Sequence, residues 1–543
     1  MTVMDNKAAR LANAFRDGCA FIAEYEQERH LALRNALCSH DDVDQFISAI
    51  KAEVAIISQD IDRLFPSLDK VGPTFDLDID TLIENSDILF PISDLSVKSL
   101  PTIIARLQYL DSWFEAIFNP DINITKSHSI FRDLFSVDGF IRLSDNAILL
   151  PRRLPYWRND LDEEDHVGIL AQYLRYLAYM PGQLRCNHPD MLGGNESLLG
   201  ADYVIWDGAI RSLLPVPVDP IIAVAPMAER GSDVEFLADD SRKTYALSLG
   251  YGDERFSIAL QNALKAGAHI LIVPEMALPE GDVDSFDDRM RDLIFSAQDE
   301  YLSFTNSLPS LRLVIAGVLG PKRGDGFHRN YAVVFDSNGD RHPSFEQRKL
   351  SHWNLTSYEQ VMFGIDRHHP QQWPLANPIF ENSLPGDRLT VLEIPGIGRT
   401  ATLICADMSQ NNPGDWMYIN AVLDWLNAPI MDKSICWATA DARGERRSWI
   451  VRRSYRAARL ARTMVITTNS MSLTRWVNET NKLSGNYPSF STVGIGLAID
   501  GRENPPTFDH ILVDVNRQGV VECFTSTPEH WPLFPASPAF PTS

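Results

Sequence analysis

From residue 213 onward the chain is a series of short apolar runs with strand character, separated by turns and a few helix-like stretches. A helical pattern at Phe256–Ala266 stands between the first two runs. The runs are Ile221–Ala225, His269–Val273, Leu313–Val318, Tyr331–Phe335, Thr390–Ile394, Thr400–Cys405, Met464–Thr468, Val493–Ile499 and His510–Val515. Many short strands that alternate with a few helices predict a layered α/β domain.

Three of these apolar stretches lead to a reactive side chain. Glu275 follows one strand-like run, Lys349 follows the segment after Tyr331–Phe335, and Cys405 ends a third run. A thiolate nucleophile needs a nearby proton acceptor, and the oxyanion that forms on attack needs a fixed positive charge or hydrogen-bond donor. A carboxylate, an ammonium and a thiol supply these roles once each, so the sequence predicts a thiol-acylation site.

The flanks of these residues resemble the nitrilase, or carbon–nitrogen hydrolase, superfamily over about residues 219–525. The matching stretches, in the family's order, are the segment ending at Pro274-Glu275, the block 328–350, the segment Gly398–Asp407, the stretch Arg456–Ser470 and the strand Ser491–Gly501. The resemblance implies a four-layer αββα sandwich that needs no metal or organic cofactor. It also implies a homodimer or a larger homo-oligomer, paired through helices near the active site.

The resemblance assigns a role to each candidate residue. Glu275 would be the general base and acid, Cys405 the nucleophile, and Lys349 with the backbone N–H of Ala406 would hold the oxyanion. Glu359 falls where the family often carries a second glutamate, and it would orient the substrate or the lysine. We therefore expect Glu275, Lys349 and Cys405 to be catalytic, and Glu359 and Ala406 to contact the substrate.

Two departures from the family pattern bear on the substrate. Ala406 stands where the family usually has an aromatic residue. The separation of Lys349 and Cys405, 405 − 349 = 56 residues, is longer than the family tends to have. The additional residues lie around His368–Gly386. We expect them to extend a loop near the mouth of the substrate pocket.

Residues 1–212 have a different sequence pattern, in which helical periodicity replaces the short strand-like runs. We predict a mainly α-helical domain of unknown role there. Helical patterns occur at about 42–65, 100–118 and 163–180, and this half contains no catalytic constellation. Three prolines between Leu213 and Pro220 interrupt regular structure. The predicted organisation is therefore a helical domain over 1–212 and a nitrilase-like domain over 213–543.

Composition limits the class of protein. The formal net charge of −23 argues against wholesale binding of nucleic acid or an anionic membrane. Six cysteines without a CxxC pair are typical of a reducing compartment. The sequence shows neither a signal-peptide pattern nor the apolar stretch of about 20 residues that a membrane-spanning helix needs. The histidines and cysteines are not spaced in the sequence as the ligands of a zinc site are, and no phosphate-binding loop motif occurs. We expect a cytoplasmic enzyme without a metal.

The first hypothesis is a thiol hydrolase that acts on a small-molecule amide or nitrile-like substrate, with an amidase favoured over a nitrilase. The rival is a nitrilase-like binding or regulatory protein whose helical half or basic helix contacts a partner. The basic helix, at about 445–462, carries Arg453, Arg456 and Arg459 on one face. These arginines could bind nucleic acid. We favour the interpretation that they form ion pairs with carboxylates of the protein or lie in a subunit interface.

Overall fold

The structure is a computed structural model. It describes residues 9–24, 48–57, 59, 100–118, 140–143, 147–152, 170, 174–186, 197–205, 220–227, 231–239, 244–249, 252–281, 283–321, 326–355, 359–360, 379–394, 398–408, 423, 425–431, 449–461, 463–484, 491–501, 506–518 and 520–524.

The chain divides into two compact units. The first comprises Met1–Gln183 with two short later segments, and the second comprises Leu184–Tyr418 and Leu423–Ala536. This division lies earlier than the boundary at 212/213 that the prolines suggested. The physical reason is a long-range pairing, because Ser197–Ile205 forms a parallel ladder with Arg388–Ile394 in the second unit.

The described part of the first unit contains helices and a small sheet. Helical residues occur at 9–24 and 48–57, and helix α1 spans Leu100–Phe118, which matches the predicted 100–118. Strands β1 (Ile141–Arg142), β2 (Ile148–Pro151) and β3 (Leu177–Met180) form an antiparallel sheet. The helix expected at 163–180 is therefore wrong at its end, because all four β3 side chains are buried in a ladder with β2.

The second unit is mixed α/β, as predicted. Its helices are α2 (Asp253–Lys265), α3 (Val283–Thr305), α4 (Trp449–Ala461) and α5 (Ser472–Ser484). Its strands are β4 (Gln183–Cys186), β5 (Ser197–Ile205), β6 (Ile222–Val224), β7 (Val234–Asp239), β8 (Thr244–Leu249), β9 (Ile270–Ile272), β10 (Leu278–Pro279), β11 (Leu313–Gly320), β12 (Arg329–Asp336), β13 (Arg341–Arg348), β14 (Asn354–Leu355), β15 (Ile379–Glu381), β16 (Arg388–Ile394), β17 (Gly398–Thr402), β18 (Trp425–Ile430), β19 (Met464–Asn469), β20 (Thr492–Asp500), β21 (Thr507–Asp514) and β22 (Glu522–Phe524).

One large sheet has the strand order β13-β12-β11-β9-β6-β22, with β10 paired to β11. Strands β6, β9 and β11 are parallel, and β12 is antiparallel to β11. Helices α2 and α3 each bury an apolar stripe in the core on one face of this sheet. The stripe of α2 consists of Phe256, Ala259, Leu260, Ala263 and Leu264.

A second large sheet has the order β21-β20-β19-β18-β17-β16-β5-β4. Strands β17, β18 and β19 are parallel to one another. Helix α4 packs on β19 and β20 and buries Ile450, Val451, Ala457 and Ala458. The basic residues of α4 lie on the opposite side, where Arg452 and Arg459 are exposed and Arg453 and Arg456 are half-buried.

The two large sheets face each other across a shared apolar core. This core includes Val224 and Ile272 from the first sheet and Leu392 and Ile466 from the second. Gln347 also joins the sheets, because its Oε1 accepts a hydrogen bond from Thr390 N at 2.9 Å.

A four-stranded sheet with the order β14-β15-β8-β7 completes the second unit. Strand β15 pairs in parallel with β8, which places Glu381 opposite Tyr245. Among the described residues, no helix is long and apolar enough to cross a membrane.

Candidate active site

Glu275 lies just past the carboxyl end of β9. Its neighbour Met276 has a φ of 52°, so the chain turns sharply at this point. Gly317 on the adjacent strand allows the turn, since a Cβ there would lie 2.2 Å from Pro274 O. Open α/β sheets bind ligands at the carboxyl ends of their parallel strands, and Glu275 occupies such a position.

Lys349 follows the last residue of β13 and reaches the same end of the sheet. Its backbone N–H donates to Asn330 O at 2.8 Å, and its carbonyl oxygen accepts from Gly386 N at 2.8 Å. Lys349 is 2% exposed. A buried ammonium requires compensating charges.

Two carboxylates compensate the charge of Lys349. Its Nζ atom lies 2.7 Å from Oε1 of Glu275 and 2.7 Å from Oε2 of Glu381. Both glutamates are 3% exposed. The three groups form a buried ion cluster, within which charge-assisted hydrogen bonds are strong and short.

Neutral donors fix the orientation of both carboxylates. Asn330 Nδ2 donates to Oε1 of Glu275 at 2.7 Å and to Oε1 of Glu381 at 3.1 Å. The second oxygen of Glu275 accepts from Met431 N at 3.0 Å, and that of Glu381 accepts from Trp353 N at 3.0 Å. Glu275 therefore accepts three hydrogen bonds, from Asn330, Lys349 and Met431.

Cys405 begins a 3-10 turn, Cys405–Met408, shortly after β17. Its φ is 48°, in the left-handed region that residues other than glycine rarely adopt. It carries a reduced thiol and is 4% exposed. Such backbone outliers cluster at active sites, where the surrounding structure holds them in place.

Asp407 connects this turn to the segment that follows Lys349. Its carboxyl group accepts backbone hydrogen bonds from Leu350 at 3.0 and 3.1 Å, Ser351 at 2.7 Å and Ile404 at 3.1 Å. Asp407 is fully buried. Burial raises the pKa of Asp407 to about 7, although its backbone donors and Lys349 act in the opposite direction.

Burial and neighbouring charges shift the pKa values of Lys349 and Glu381. Burial opposes the charge on Lys349, but Glu275, Glu381 and Cys405 outweigh it and raise the pKa of the ammonium well above its usual value. Burial would likewise raise the pKa of Glu381, but Lys349 prevails and the pKa is lowered. Lys349 therefore stays protonated and Glu381 stays ionised near neutral pH.

Tyr245 and Trp353 lie against this cluster. The Tyr245 hydroxyl donates to Trp353 O at 2.9 Å, and the two rings meet edge to face with centroids 6.4 Å apart. Burial raises the pKa of Tyr245 well above its usual value, and the negative charges of Glu381, Glu275, Cys405 and Glu359 raise it further.

The structure brings the sequence candidates together to different degrees. Glu275 and Lys349 are in direct contact, and Asp407 links the turn that begins at Cys405 to the segment after Lys349. Ala406 is half-buried in the turn after Cys405. Glu359 is also half-buried, and its charge acts on Tyr245.

Sequence reasoning missed Glu381, which lies beside Lys349. The resemblance predicts a second glutamate at Glu359 instead. The signal was present, since Ile379-Phe380-Glu381 is another apolar run that ends in a carboxylate. The predicted loop around His368–Gly386 is wrong for 379–381, because these residues form β15.

Parts of two predicted segments lie outside the described residues. They are residues 368–378 of the expected loop and residues 445–448 and 462 of the basic helix. Within the described part of the chain, no group of three or more histidine, cysteine, aspartate or glutamate side chains is arranged to hold a metal ion.

Comparison with known proteins gives matches among solved structures alone. No family model matches the chain, and no curated protein matches it. An amidase from Nesterenkonia sp. is 13% identical, with a TM-score of 0.29 over 48% of this chain and 78% of that chain. A cysteine-to-serine variant of the Nesterenkonia AN1 amidase, described as a member of the nitrilase superfamily, is 14% identical over 47% of this chain and 78% of its own, with a TM-score of 0.29.

A third structure is a glutamate-to-leucine variant of the same amidase. It carries the acetamide moiety of fluoroacetamide covalently added at its active-site cysteine. It is 13% identical, with a TM-score of 0.29 over 56% of this chain and 86% of its own. Over about half of its length, this chain is thus similar to amidase structures of the nitrilase superfamily.

Proposed function

We propose that this protein hydrolyses carbon–nitrogen bonds other than peptide bonds in small amides, through a thioester on Cys405. One observation carries the proposal. The Nζ atom of Lys349 lies between Glu275 and Glu381 at 2.7 Å from each, and Asp407, two residues after Cys405, accepts backbone hydrogen bonds from Leu350 and Ser351, the residues that follow Lys349. A base, a cation and a sulfur nucleophile in one buried region are the groups that thiol acylation needs.

In the first half-reaction, Glu275 takes the proton of the Cys405 thiol, and the thiolate attacks the amide carbon. The carbonyl oxygen becomes an oxyanion, which Lys349 and the backbone N–H of Ala406 stabilise. Glu275 then gives its proton to the departing amine, and the carbon–nitrogen bond breaks. The product of this step is an acyl thioester on sulfur.

In the second half-reaction, Glu275 takes a proton from water, and the hydroxide attacks the thioester carbon. The acid leaves, and the proton returns to the thiolate. One carboxyl group can serve as base and acid in both halves, since each half restores the protonation state that the other requires.

The role of Glu381 in this scheme is to hold Lys349. An ammonium without a partner in a dry site would lose its proton or move toward solvent. With Glu381 on one side and Glu275 on the other, the cation keeps its charge and position while Glu275 exchanges its proton. Asn330 donates to both carboxylates and fixes their separation.

The proposal is tested by intact-mass spectrometry after acid quenching of the protein with a panel of small primary amides. We expect a mass increase equal to the acyl group, located by peptide mapping at Cys405 and absent from Cys405→Ala. The matched control is Cys523→Ala, which should acylate like the wild type. An acyl group on another residue, or no acylation and no ammonia release with any amide, would contradict the proposal.

A further inference from the structure

Glu381 and Lys349 belong to different sheets. Strand β15, which ends at Glu381, pairs with β14 and β8 in the four-stranded sheet, whereas Lys349 follows β13 of a large sheet. The ladder between β15 and β8 consists of two residue pairs. The contact of 2.7 Å between Glu381 and Lys349 therefore depends on further links that hold β15 in place.

The backbone of Trp353 binds Glu381 at two points. Its N–H donates to Oε2 of Glu381 at 3.0 Å, and its carbonyl oxygen accepts a hydrogen bond from Glu381 N at 3.2 Å. The same Oε2 atom accepts from Lys349 Nζ at 2.7 Å. The position of the Trp353 backbone thus sets the position of the carboxylate oxygen that contacts the ammonium.

Tyr245 holds the Trp353 backbone in turn. Its hydroxyl donates to Trp353 O at 2.9 Å, and its ring meets the indole edge to face. The carbonyl oxygen of Tyr245 accepts a hydrogen bond at 2.6 Å from Asn382 N, the residue after Glu381. Tyr245 is therefore linked to Glu381 from two directions, through Trp353 and through the chain at Asn382.

The Tyr245 ring also has a packing role. It is 1% exposed and belongs to the apolar core on one face of the first large sheet. Phenylalanine would fill that role equally well, because packing needs only the ring. A buried tyrosine hydroxyl, in contrast, needs a hydrogen-bond partner, and the partner here is the residue that binds Glu381.

We infer that Tyr245 is a positioning residue, whose hydroxyl acts through the Trp353 backbone to hold Glu381 against Lys349. The inference rests on the proposed function, in which Lys349 stabilises the oxyanion. Because the oxyanion forms only after the thiolate attacks, a displaced ammonium weakens binding of the transition state more than binding of the amide. Loss of the Tyr245 hydroxyl should therefore lower kcat and leave KM almost unchanged.

The experiment is a double-mutant cycle in the full-length protein. Its members are the wild type, Tyr245→Phe, Glu381→Ala and the double variant, and ammonia release from a small primary amide gives kcat and KM. The control is Tyr301→Phe, which removes the hydroxyl of another tyrosine that packs against the same core. Hydrogen exchange of the peptides that contain Trp353 and Glu381 is compared among the wild type, Tyr245→Phe and Tyr301→Phe.

We expect Tyr245→Phe to lower kcat about fivefold, with KM within about twofold of the wild type. In the Glu381→Ala background, the same substitution should change kcat less than about twofold, because the side chain through which Tyr245 acts is absent. Hydrogen exchange of the backbone N–H groups of Trp353 and Glu381 should be about fivefold faster in Tyr245→Phe. Tyr301→Phe should match the wild type in each measurement.

The outcomes separate this inference from the proposed function. An equal loss of kcat from Tyr245→Phe in both backgrounds, or a change in KM with kcat intact, would overturn the inference alone. A Tyr245→Phe chain that shows no cooperative urea transition would also overturn it, since the hydroxyl would then be required for folding. If the wild type hydrolyses no amide, the proposed function fails, and faster exchange in Tyr245→Phe would still support the link from Tyr245 to Glu381. Unchanged exchange would overturn that link.

Discussion

Asp407 accepts hydrogen bonds from the backbone N–H of Leu350 at 3.0 Å to Oδ1 and 3.1 Å to Oδ2. The residue two positions after Cys405 thus holds the residue next to Lys349, and Ser351 donates to the same carboxyl group. Cys405 and Lys349, which are 56 residues apart in the sequence, are thus connected through one buried side chain.

Asp407→Asn should loosen this connection. The amide NH2 group would face backbone N–H groups that now donate to an oxygen, so at least one buried donor would lose its acceptor. We expect a loss of about 2 kcal/mol in the free energy of unfolding, measured by urea denaturation. The rate constant for amide hydrolysis should fall as well, since Lys349 would be less well placed.

The matched control for this variant is Asp340→Asn. Asp340 makes an exposed ion pair with Arg291 at 2.9 Å, and we expect its substitution to cost less than about 0.5 kcal/mol. If the two variants have the same stability and activity, Asp407 does not connect the two segments.

Lys349→Met should leave two buried carboxylates without their cation. We expect a loss of about 3–5 kcal/mol in unfolding free energy, and no measurable amide hydrolysis. Adding Glu381→Gln to Lys349→Met removes one of the stranded charges, so stability should partly recover while activity stays lost. Lys265→Met, at an exposed position, is the control for removal of a lysine. A double variant less stable than Lys349→Met would contradict the ion cluster.

Glu381→Gln and Glu359→Gln test which glutamate supports Lys349. The structure indicates Glu381, and the sequence resemblance indicates Glu359. Glu381 contacts Nζ of Lys349, so its neutralisation should lower kcat for amide hydrolysis by about a hundredfold. Glu359 acts on Tyr245, and its neutralisation should change kcat by less than about tenfold with a neutral amide. Steady-state kinetics of the two variants decides between them, and a larger effect at Glu359 would contradict this assignment.

Asp111 in the first unit predicts a pH dependence of stability. Its Oδ2 accepts from Arg175 N at 2.5 Å and Tyr176 N at 2.9 Å, and its Oδ1 is buried with no hydrogen-bond partner. Burial raises the pKa of Asp111 to about 7, against the lowering effect of these backbone donors.

The raised pKa of Asp111 determines how the free energy of unfolding changes with pH. Since the folded state binds the proton more tightly than the unfolded state, stability should fall as pH rises from about 4 to about 7, by roughly 2–4 kcal/mol. Asp111→Asn should remove most of this slope. Urea unfolding at pH 5 and pH 8, followed by exposure of buried Cys19 to dithiodipyridine, measures it. A wild type that gains stability relative to Asp111→Asn between pH 5 and pH 8 would contradict the prediction.

Sequence was most informative where a local pattern and a functional side chain coincide. The runs before Glu275 and Cys405 are apolar, short and bounded by turns, and they form the buried β9 and β17. The helix at 100–118 was also predictable, because its apolar residues repeat at helical spacing. These features depend on neighbours in the sequence.

Features that depend on distant pairing were not predictable from one sequence. Strand β15 has three residues, and its partner β8 lies more than 130 residues earlier in the chain, so Glu381 had no local context that marked it as functional. The same holds for β3, where pairing with β2 overrides a helical pattern. The contact of Glu381 with Lys349 appears only when both chain segments are placed in space.

The central claim is that Glu275, Lys349 and Cys405 act on one reacting carbon, and the rate of alkylation of Cys405 by iodoacetamide tests it most directly. Burial raises the pKa of Cys19 and of Cys523, so these thiols serve as slow internal references. We predict that Cys405 reacts about tenfold faster than either reference at pH 7.5, and that Glu275→Gln abolishes this difference. Equal rates at the three cysteines in the wild type, or a fast Cys405 that Glu275→Gln does not slow, would contradict the account.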